Sequence, residues 1–425
     1  MTEKFRWREV LASPWCMVLA ALLVRLVFMA AMYSGPNRAT LERFTFSSET
    51  ARVARAIASG EGFSSPLPVR TGPTALIPPV YVYLLSGIFC IFGVYTFWSA
   101  VALLTLNCVF SALTCVPIFF LTRKWLEPSV AVAAGWMWVF YPNAMYIPVK
   151  WVWESTLATL LLSGAVWLGL VIEEAPSLRA WLAWGALWGL TALTSPSLLL
   201  VLPLLGGWLC YRLARRGVRW VGPACASMLV LLFCITPWLV RNYRVFERLI
   251  PVRSGFGLEL RVGNSPETDV RWRSWLHPNE SLPEQRLYQQ MGELAYMDAK
   301  KREALEFIRA NPGIFAQLTW QRISYIWLGM WSPRLSYLFA HAIDFANIPA
   351  TTLLTVLAFC GLRLAFRQGK TLAWPCALIF LAAPLPYYIT HVNIRYRHPM
   401  DPFLILLAVF AVAESRKKPM SAGEA

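Results

Sequence analysis

The chain is dominated by apolar runs, several of them close to the roughly 20 residues that cross a lipid bilayer as a helix. Ten such runs lie near residues 15–33, 98–121, 130–148, 155–172, 180–194, 197–212, 219–239, 346–366, 371–390 and 400–414. Charged residues make up 15% of the sequence and hydrophobic residues 57%, whereas soluble domains are about a quarter charged. The sequence therefore predicts an all-α polytopic membrane protein with about ten or more transmembrane helices.

The net charge of +16 is spread over short loops between the apolar runs, so it does not form the single basic face of a nucleic-acid-binding protein. The basic clusters are Lys4, Arg6 and Arg8; Arg123 and Lys124; Arg212, Arg215, Arg216 and Arg219; Arg363, Arg367 and Lys370; and Arg416, Lys417 and Lys418. Short loops rich in Lys and Arg stay in the cytoplasm. This pattern predicts a bacterial inner-membrane protein with both termini in the cytoplasm.

Two segments on the opposite side, residues 34–97 and about 240–345, are longer than ordinary connections, and such segments are usually functional. We call them the first loop segment and the large loop segment. The predicted organisation is a transmembrane catalytic module over 1–240, a periplasmic loop with amphipathic or juxtamembrane helices over 241–345, and C-terminal transmembrane helices with a cytoplasmic tail over 346–425.

Local patterns predict helices within both loop segments. The first loop segment contains a short helix at 47–59 and an apolar run at 77–92. That run is interpreted as a juxtamembrane or re-entrant helix, because a full span there would place the Arg123 cluster outside. In the large loop segment, a capping-box pattern at Ser281 starts a helix that should end near Asn311.

Two acidic residues are candidate catalytic groups at the periplasmic ends of spans. Glu49 lies in the short helix after the first span, with Arg52 one turn later, and Glu154 follows Lys150 by four residues. A carboxylate beside the reacting centre can remove the proton of an acceptor hydroxyl. The alternative for Glu49 is a solvated acid at a helix N-terminus, and the alternative for Glu154 is an interfacial anchor.

Two cationic clusters are candidate substrate-binding groups. They are Arg241, Asn242 and Tyr243 at the end of the seventh span, and Arg395, Tyr396, Arg397 and His398 between the last two spans. Guanidinium groups suit phosphate, and the second cluster lies against the positive-inside bias, which points to anion binding. The first cluster could instead serve membrane-surface electrostatics.

Other polar residues leave their roles open. Arg25 lies within the first span and either snorkels to the surface or faces the bundle interior. The nine cysteines all lie in apolar stretches and show no disulfide or metal spacing. No cofactor is required by any motif, although a divalent cation at the acidic site stays possible.

Several stretches together resemble the C-type glycosyltransferase superfamily, near glycosyltransferase family 39, which includes protein O-mannosyltransferases and lipid A aminoarabinose transferases. The stretches run from Glu49 to Phe63, from Thr71 to Tyr81, from Trp153 to Thr156, from Pro237 to Tyr243 and from Arg395 to Pro399. The resemblance extends over about residues 10–415. The order of these stretches along the chain carries the resemblance more than any single stretch does.

The resemblance implies a fold, a reaction and roles for particular residues. It implies a bundle of membrane helices with juxtamembrane helices on the periplasmic face, and inverting transfer of a sugar from a polyprenyl-phosphate donor to a periplasmic protein, lipid or glycan acceptor. Glu49 would be the general base, where the family often has Asp followed by Glu and this chain has Ser48. Glu154 would be the second acid, and Arg241 with Arg395 or Arg397 would bind the donor phosphate.

Two other classes of function remain as alternatives. A transporter or flippase of lipid-linked sugars would show internal repeats and a site near the membrane midplane, whereas no repeat is visible and the polar clusters lie at the span ends. A non-catalytic membrane subunit of an envelope-assembly complex would not depend on Glu49 or Glu154.

Overall fold

A computed structural model describes residues 9–34, 46–268, 273–330, 332 and 342–417. Within these ranges the regular secondary structure is helical and there is no strand, which confirms the predicted all-α fold. An isolated β-bridge joins Ser64 to Pro73. The terminal basic residues Lys4, Arg6, Arg8 and Lys418, used above for orientation, lie outside the described residues.

The helices of the N-terminal half are as follows: α1 Pro14–Met32, α2 Glu49–Ala58, α3 Pro79–Phe92, α4 Phe97–Leu113, α5 Cys115–Trp125, α6 Pro128–Phe140, α7 Pro142–Lys150, α8 Ser155–Glu174, α9 Leu178–Thr194, α10 Val201–Arg215 and α11 Val221–Phe246. The helices that follow are α12 Phe256–Gly263, α13 Leu282–Met291, α14 Glu293–Ala310, α15 Pro312–Leu328, α16 Ala342–Arg367, α17 Ala373–Ala382, α18 Leu385–Ile389, α19 Ile394–Arg397 and α20 Asp401–Ser415.

Seven helical stretches in the described part of the chain are long and apolar enough to cross a membrane. They are Pro14–Met32, Phe97–Trp125, Ser155–Glu174, Pro196–Arg215, Val221–Phe246, Asn347–Arg367 and Ile394–Ser415. The other three predicted spans, near 130–148, 180–194 and 371–390, form shorter helices.

The apolar run at 77–92, which was not predicted to be a span, forms α3. This helix has 14 residues, about 21 Å at the rise of an α-helix, so it is shorter than a full span, as the sequence predicted.

The predicted span 130–148 is not one helix, because the chain breaks between α6 and α7 at Tyr141-Pro142. Pro142 has no N–H to donate and disfavours a helical Tyr141, which adopts an extended conformation (φ −66°, ψ 122°). The prediction of a continuous helix was wrong for this reason. The break removes the usual i+4 amide donors from carbonyls at the end of α6, and the Trp138 carbonyl keeps only a long bond from the Tyr141 amide at 3.4 Å.

Arg25 supplies the missing donors, and so it faces the bundle interior rather than snorkelling. Its guanidinium is fully buried and donates to the Trp138 carbonyl at 3.1 Å and the Val139 carbonyl at 3.3 Å. It also donates to Ser111 Oγ at 2.8 Å and to the Ala21 carbonyl at 3.0 Å. One side chain of α1 therefore ties together α1, α4 and the end of α6.

We expect Arg25→Leu to destabilise the protein by about 2 kcal/mol or more, because buried carbonyls would lose their donors. The stability of Arg25→Lys should lie between that of the unaltered protein and that of Arg25→Leu, because an ammonium cannot reach the same set of acceptors. Thermal unfolding in detergent, followed by tryptophan fluorescence, measures this change. Arg219→Leu, at an exposed arginine, is the control. Equal unfolding temperatures for the Arg25→Leu and control proteins would contradict the role of Arg25.

Helices α9 and α11 approach closely because small residues lie between them. A Cβ atom added at Gly185 would overlap the backbone of Ser227, and one added at Gly189 would meet Cys234. Small residues allow this kind of backbone approach between membrane helices, where dispersion replaces the hydrophobic effect as the driving force. Trp181, Trp184 and Trp188 pack on one face of α9 within the core.

The large loop segment contains a helix break that the sequence did not predict, directly before Glu293. α13 begins at Leu282 as predicted, but it ends at Met291, and Gly292 (φ 75°) separates it from α14. A residue with a positive φ cannot continue a right-handed helix. The chain therefore forms two helices where one was predicted, and α14 ends before Asn311 as expected.

The Glu293 carboxylate joins the large loop segment to the first loop segment. It accepts hydrogen bonds from Thr74 Oγ1 at 2.5 Å, from the Ala75 amide at 2.8 Å, from Ser254 Oγ at 2.6 Å and from the Tyr288 hydroxyl at 2.7 Å. A carboxylate with four donors is a strong, directional junction. It fixes residues 74–78, which continue into the wall of the cavity described next.

Candidate active site

A cavity of about 890 Å³ lies between the two loop segments and the ends of the helices that flank them. Its walls come from residues 47–50, 76–78 and 81, 150–154, 194–197 and 200, 253, 256 and 259, 277, 279 and 280, and parts of 385–396. Its volume is that of a small-molecule site. Five of the residues singled out from the sequence line it: Glu49, Lys150, Glu154, Arg395 and Tyr396.

Glu49 is the first residue of α2, and the start of that helix fixes its position. The Ser48 side chain accepts a hydrogen bond from the Ala51 amide at 3.2 Å, which caps the helix. The Glu49 side chain is 10% exposed, and its Oε1 lies 3.7 Å from Nδ1 of His277 in the large loop segment. A carboxylate of one loop segment thus meets an imidazole of the other at the cavity wall.

Glu154 and Lys150 lie on either side of the short connection between α7 and α8. Lys150 is the last residue of α7, and Glu154 is the N-cap residue of α8. The connection is held in place because Asn107 donates to the Trp151 carbonyl at 3.1 Å and accepts from the Tyr81 hydroxyl at 2.8 Å. The helix break at Pro142 is therefore what delivers this acid and this base to the cavity.

Arg395 lies at the start of the last helical stretch, packed against aromatic rings. Its guanidinium carbon is 4.0 Å from the centre of the Trp153 ring, and Nη2 lies 3.4 Å from the Tyr396 hydroxyl. Within the described residues, Nε and Nη1 are buried and have no hydrogen-bond acceptor. Native proteins rarely leave buried donors unpaired, so this guanidinium has hydrogen-bonding capacity for a ligand.

Arg241, Asn242 and Tyr243 do not line the cavity, which corrects their expected placement. Arg241 donates to the carbonyls of Thr74 at 2.7 Å and Phe63 at 2.8 Å. The Asn242 side chain is buried and donates to a backbone carbonyl, and Tyr243 is exposed. Arg241 binds backbone carbonyls rather than an open site, because the first loop segment folds back over the end of α11.

Arg397, His398 and Arg52 also lie outside the cavity walls. Arg397 and His398 are buried and both contact Asp401, at 3.0 and 3.2 Å. The helical turn after Arg395 points their side chains into the bundle, where Asp401 pairs with them. Arg52 donates to Asn279 Oδ1 at 2.5 Å and to backbone carbonyls, so it joins the two loop segments.

The sequence analysis missed an ion-paired cluster on the cavity wall. Glu259 in α12 binds Arg253 (Oε1 to Nη2, 2.6 Å) and His391 (Oε2 to Nδ1, 3.1 Å). Burial alone would raise the pKa of Glu259, but His391 and Arg253 lower it to about 2. Burial lowers the pKa of His391 to about 4, and the negative charge of Glu259 offsets this only in part. Glu259 is therefore ionised and His391 neutral at neutral pH.

No local pattern could have revealed the whole cluster, because His391 lies far from Arg253 and Glu259 in the sequence. The close approach of α12 to residue 390 brings Glu259 and His391 together. A Cβ atom added at Gly263 would overlap the Thr390 carbonyl, and Arg322 donates hydrogen bonds to the carbonyls of both Gly263 and Tyr388. The only sequence signal was the glycine at 263, whose contact is invisible without the fold.

The lowered pKa values predict that acid destabilises this part of the protein. The unfolded chain protonates a histidine near pH 6.5, whereas folded His391 resists protonation until about pH 4. Stability should therefore fall as the pH drops from about 6.5 to 4. It should fall further between about pH 4.5 and 2, where Glu259 is protonated in the unfolded chain but still ionised in the folded protein. His391→Gln should flatten the dependence of the unfolding temperature on pH between 6.5 and 4. An unchanged slope in that variant would contradict the burial of a neutral imidazole.

Among the described residues, no group of three His, Cys, Asp or Glu side chains is arranged to hold a metal ion. Two acids of the cavity pair with other side chains: Glu49 with His277, and Glu259 with Arg253 and His391.

Two solved structures share the fold of this chain. ArnT from Cupriavidus metallidurans in the apo state matches with a TM-score of 0.51 at 15% sequence identity, over 93% of this chain and 59% of ArnT. The oligosaccharyltransferase of Archaeoglobus fulgidus in the apo form matches with a TM-score of 0.50 at 12% identity, over 94% of this chain and 50% of that protein. The chain thus spans between half and three fifths of the length of these relatives.

The chain therefore shares its fold with these two proteins. Residues 77–240 also match a family model described as dolichyl-phosphate-mannose-protein mannosyltransferase. The match runs from the start of α3 to near the end of α11. No curated protein matches the chain by sequence.

Proposed function

We propose that this protein is a membrane glycosyltransferase that moves a sugar from a polyprenyl-phosphate donor to an acceptor in the periplasm. The observation that carries the proposal is the meeting of Glu49, Glu154 and Arg395 in one cavity, although they come from three distant parts of the chain. Acids that can take a proton and cations that can hold a phosphate are the two requirements of this transfer. The description of the matched family supports a lipid-phosphate-linked donor.

In the proposed reaction, Glu49 accepts the proton of the acceptor hydroxyl while that oxygen attacks the anomeric carbon. The bond between the anomeric carbon and the phosphate oxygen breaks, and polyprenyl phosphate leaves with the bonding electrons. A single displacement of this kind inverts the configuration of the sugar. His277, 3.7 Å from the Glu49 carboxylate, helps to hold the base in position, and a positioned base contributes about 10²–10⁴-fold to the rate.

The phosphate of the donor binds near Arg395 in this proposal, with Lys150 and Arg253 as the other cations of the cavity. Arg253 Nε, like the two Arg395 nitrogens, is buried without an acceptor in the described part of the chain. Leaving such donors unpaired is costly unless a ligand satisfies them. Glu154 also lines the cavity and offsets part of the positive charge of these cations. In this proposal Arg253 has the phosphate-binding role that the resemblance implied for Arg241.

The proposed location is the bacterial inner membrane with both termini in the cytoplasm, so that the cavity faces the periplasm. Residues 1–240 then form the catalytic module, 241–345 complete the cavity from the periplasmic side, and 346–425 contribute Arg395 and the cytoplasmic tail. The acceptor is a protein, lipid or glycan. The partition rests on the lining residues, since Glu49 and Glu154 fall in the first part and Arg253 and Glu259 in the second.

Glu49→Gln should lower the rate of sugar transfer by about 10²–10⁴-fold, because an amide cannot accept the proton while its size preserves the site. Transfer of labelled sugar from polyprenyl phosphate in isolated membranes measures the effect. Glu61→Gln is the matched control, because Glu61 belongs to the same loop segment but pairs with Arg70 outside the cavity. Transfer by Glu49→Gln at the rate of the unaltered protein would remove Glu49 from the chemistry.

Arg395→Ala should weaken the binding of polyprenyl phosphate by tenfold or more, because charge-assisted hydrogen bonds to the phosphate would be lost. Arg395→Lys should recover part of the affinity, since a point charge replaces a planar donor. Binding of the lipid phosphate to the purified protein in detergent measures both. Arg248→Ala, which removes an exposed arginine paired with Asp298, is the control. Unchanged affinity in Arg395→Ala would place the phosphate elsewhere.

A further inference from the structure

A continuous chain of polar side chains links the two arginines of the cavity wall. From Arg395 Nη2 it runs 3.4 Å to the Tyr396 hydroxyl and 3.0 Å from that hydroxyl to His391 Nε2. From His391 Nδ1 it continues 3.1 Å to Glu259 Oε2, and Glu259 Oε1 lies 2.6 Å from Arg253 Nη2. All five residues line the cavity.

The direction of each hydrogen bond follows from the charge of Glu259. The negative charge of Glu259 favours a proton on the nearer ring nitrogen, so neutral His391 carries its proton on Nδ1, 3.1 Å from Glu259 Oε2. The neutral imidazole then has Nε2 free of a proton, and this nitrogen accepts the hydroxyl proton of Tyr396. The tyrosine oxygen is left to accept from Arg395. One anion in α12 thus determines which way the tyrosine hydroxyl points.

Ring packing holds the same chain in place. The Tyr396 ring stacks on the Tyr387 ring at 4.2 Å with an angle of 9° between the planes, and the guanidinium of Arg395 lies 4.0 Å from the centre of the Trp153 ring. The stacking restricts the rings but does not select the rotation of the Arg395 guanidinium in its own plane. The Tyr396 hydroxyl supplies that selection.

We propose that Glu259, His391 and Tyr396 are positioning residues that fix the Arg395 guanidinium for the transition state of the transfer. This inference rests on the proposed function. When the sugar–phosphate bond breaks, the donor phosphodiester becomes a phosphomonoester with one more negative charge. A guanidinium fixed beforehand stabilises that developing charge more than the charge of the bound donor. The chain therefore acts on the chemical step more than on donor binding.

A purely structural role explains this chain poorly. Burying ionised and polar groups together is costly, and apolar residues of similar size would often stabilise a fold equally well. Here the buried chain ends on both sides at arginines that line the cavity and that have unpaired N–H groups in the described part of the structure. Because both ends of the chain line the cavity, they favour a role in ligand binding over a purely structural role.

The first test is Tyr396→Phe, which removes the hydroxyl and keeps the ring that stacks on Tyr387. The expected result is a fall of about tenfold or more in kcat for sugar transfer, with KM for the polyprenyl-phosphate donor changed less than threefold. Tyr388→Phe is the matched control, because the Tyr388 hydroxyl accepts from Trp327 Nε1 at 2.7 Å and lies outside the cavity walls. An unchanged kcat, or a fall matched by Tyr388→Phe, would overturn the proposal.

The second test asks whether the chain acts through Arg395. Residues that act as a unit have non-additive effects, so Tyr396→Phe should have little further effect on kcat in an Arg395→Lys background. Glu259→Gln and His391→Gln should behave in the same way. Full additivity would mean that these residues act independently of Arg395 and would overturn the proposal. Unfolding temperatures identify variants that have simply lost their fold.

Binding measurements separate this proposal from the proposed function. The product, polyprenyl phosphate, carries the extra negative charge, so Tyr396→Phe should weaken its binding at least fivefold, and the same change should have no effect in the Arg395→Ala protein. This cycle needs no turnover. If the unaltered protein transfers no sugar but the binding cycle is non-additive, the proposed function fails and the positioning chain stands. Additive binding effects overturn the positioning chain, whether or not sugar is transferred.

Discussion

The fold depends on the rule that backbone carbonyls in an apolar interior need donors. Pro142 breaks the helical ladder between α6 and α7, and the Arg25 guanidinium, buried among three helices, donates to the carbonyls that the break exposes. With those carbonyls satisfied, α7 can leave the line of α6 and end at Lys150. The chain then turns and begins α8 at Glu154, which places a base and an acid in the cavity. The position of these two residues is thus a consequence of one proline and one arginine.

Inside the cavity, charge is balanced locally rather than across the whole site. Glu259 lies between Arg253 and His391, while Glu49 faces His277. The guanidinium of Arg253 helps Glu259 to remain ionised although it is buried. The arginines keep unpaired donors among the described residues, so the cations are only partly satisfied. A site of this kind is prepared for an anion, and it explains why acids and bases can share a small volume.

The sequence was most informative where the chemistry is local. Hydropathy located the seven long apolar helices in the described part of the chain, and the capping-box pattern at Ser281 placed the start of α13. Glu154 and Arg395 were singled out because they lie near the ends of apolar runs, and Glu49 because it begins a short helix after the first span. Arg241 and Arg397 looked identical by that criterion, yet backbone carbonyls and Asp401 take up their donors. The pairing of Glu259 with His391 depends on contacts between residues far apart in the sequence, such as Gly263 of α12 and Thr390, which no sequence window contains.

The carboxylate of Glu293 also has a consequence for how the protein is made. Its partners Thr74 and Ala75 are synthesised 219 and 218 residues earlier in the chain. The first loop segment is therefore synthesised long before Glu293, the residue whose side chain anchors it. Until α14 emerges from the ribosome, Thr74 and Ala75 lack their acceptor and the cavity wall that follows them is not anchored. The cavity is therefore completed late in biogenesis. A chain whose synthesis has not yet reached α14 does not have a complete cavity.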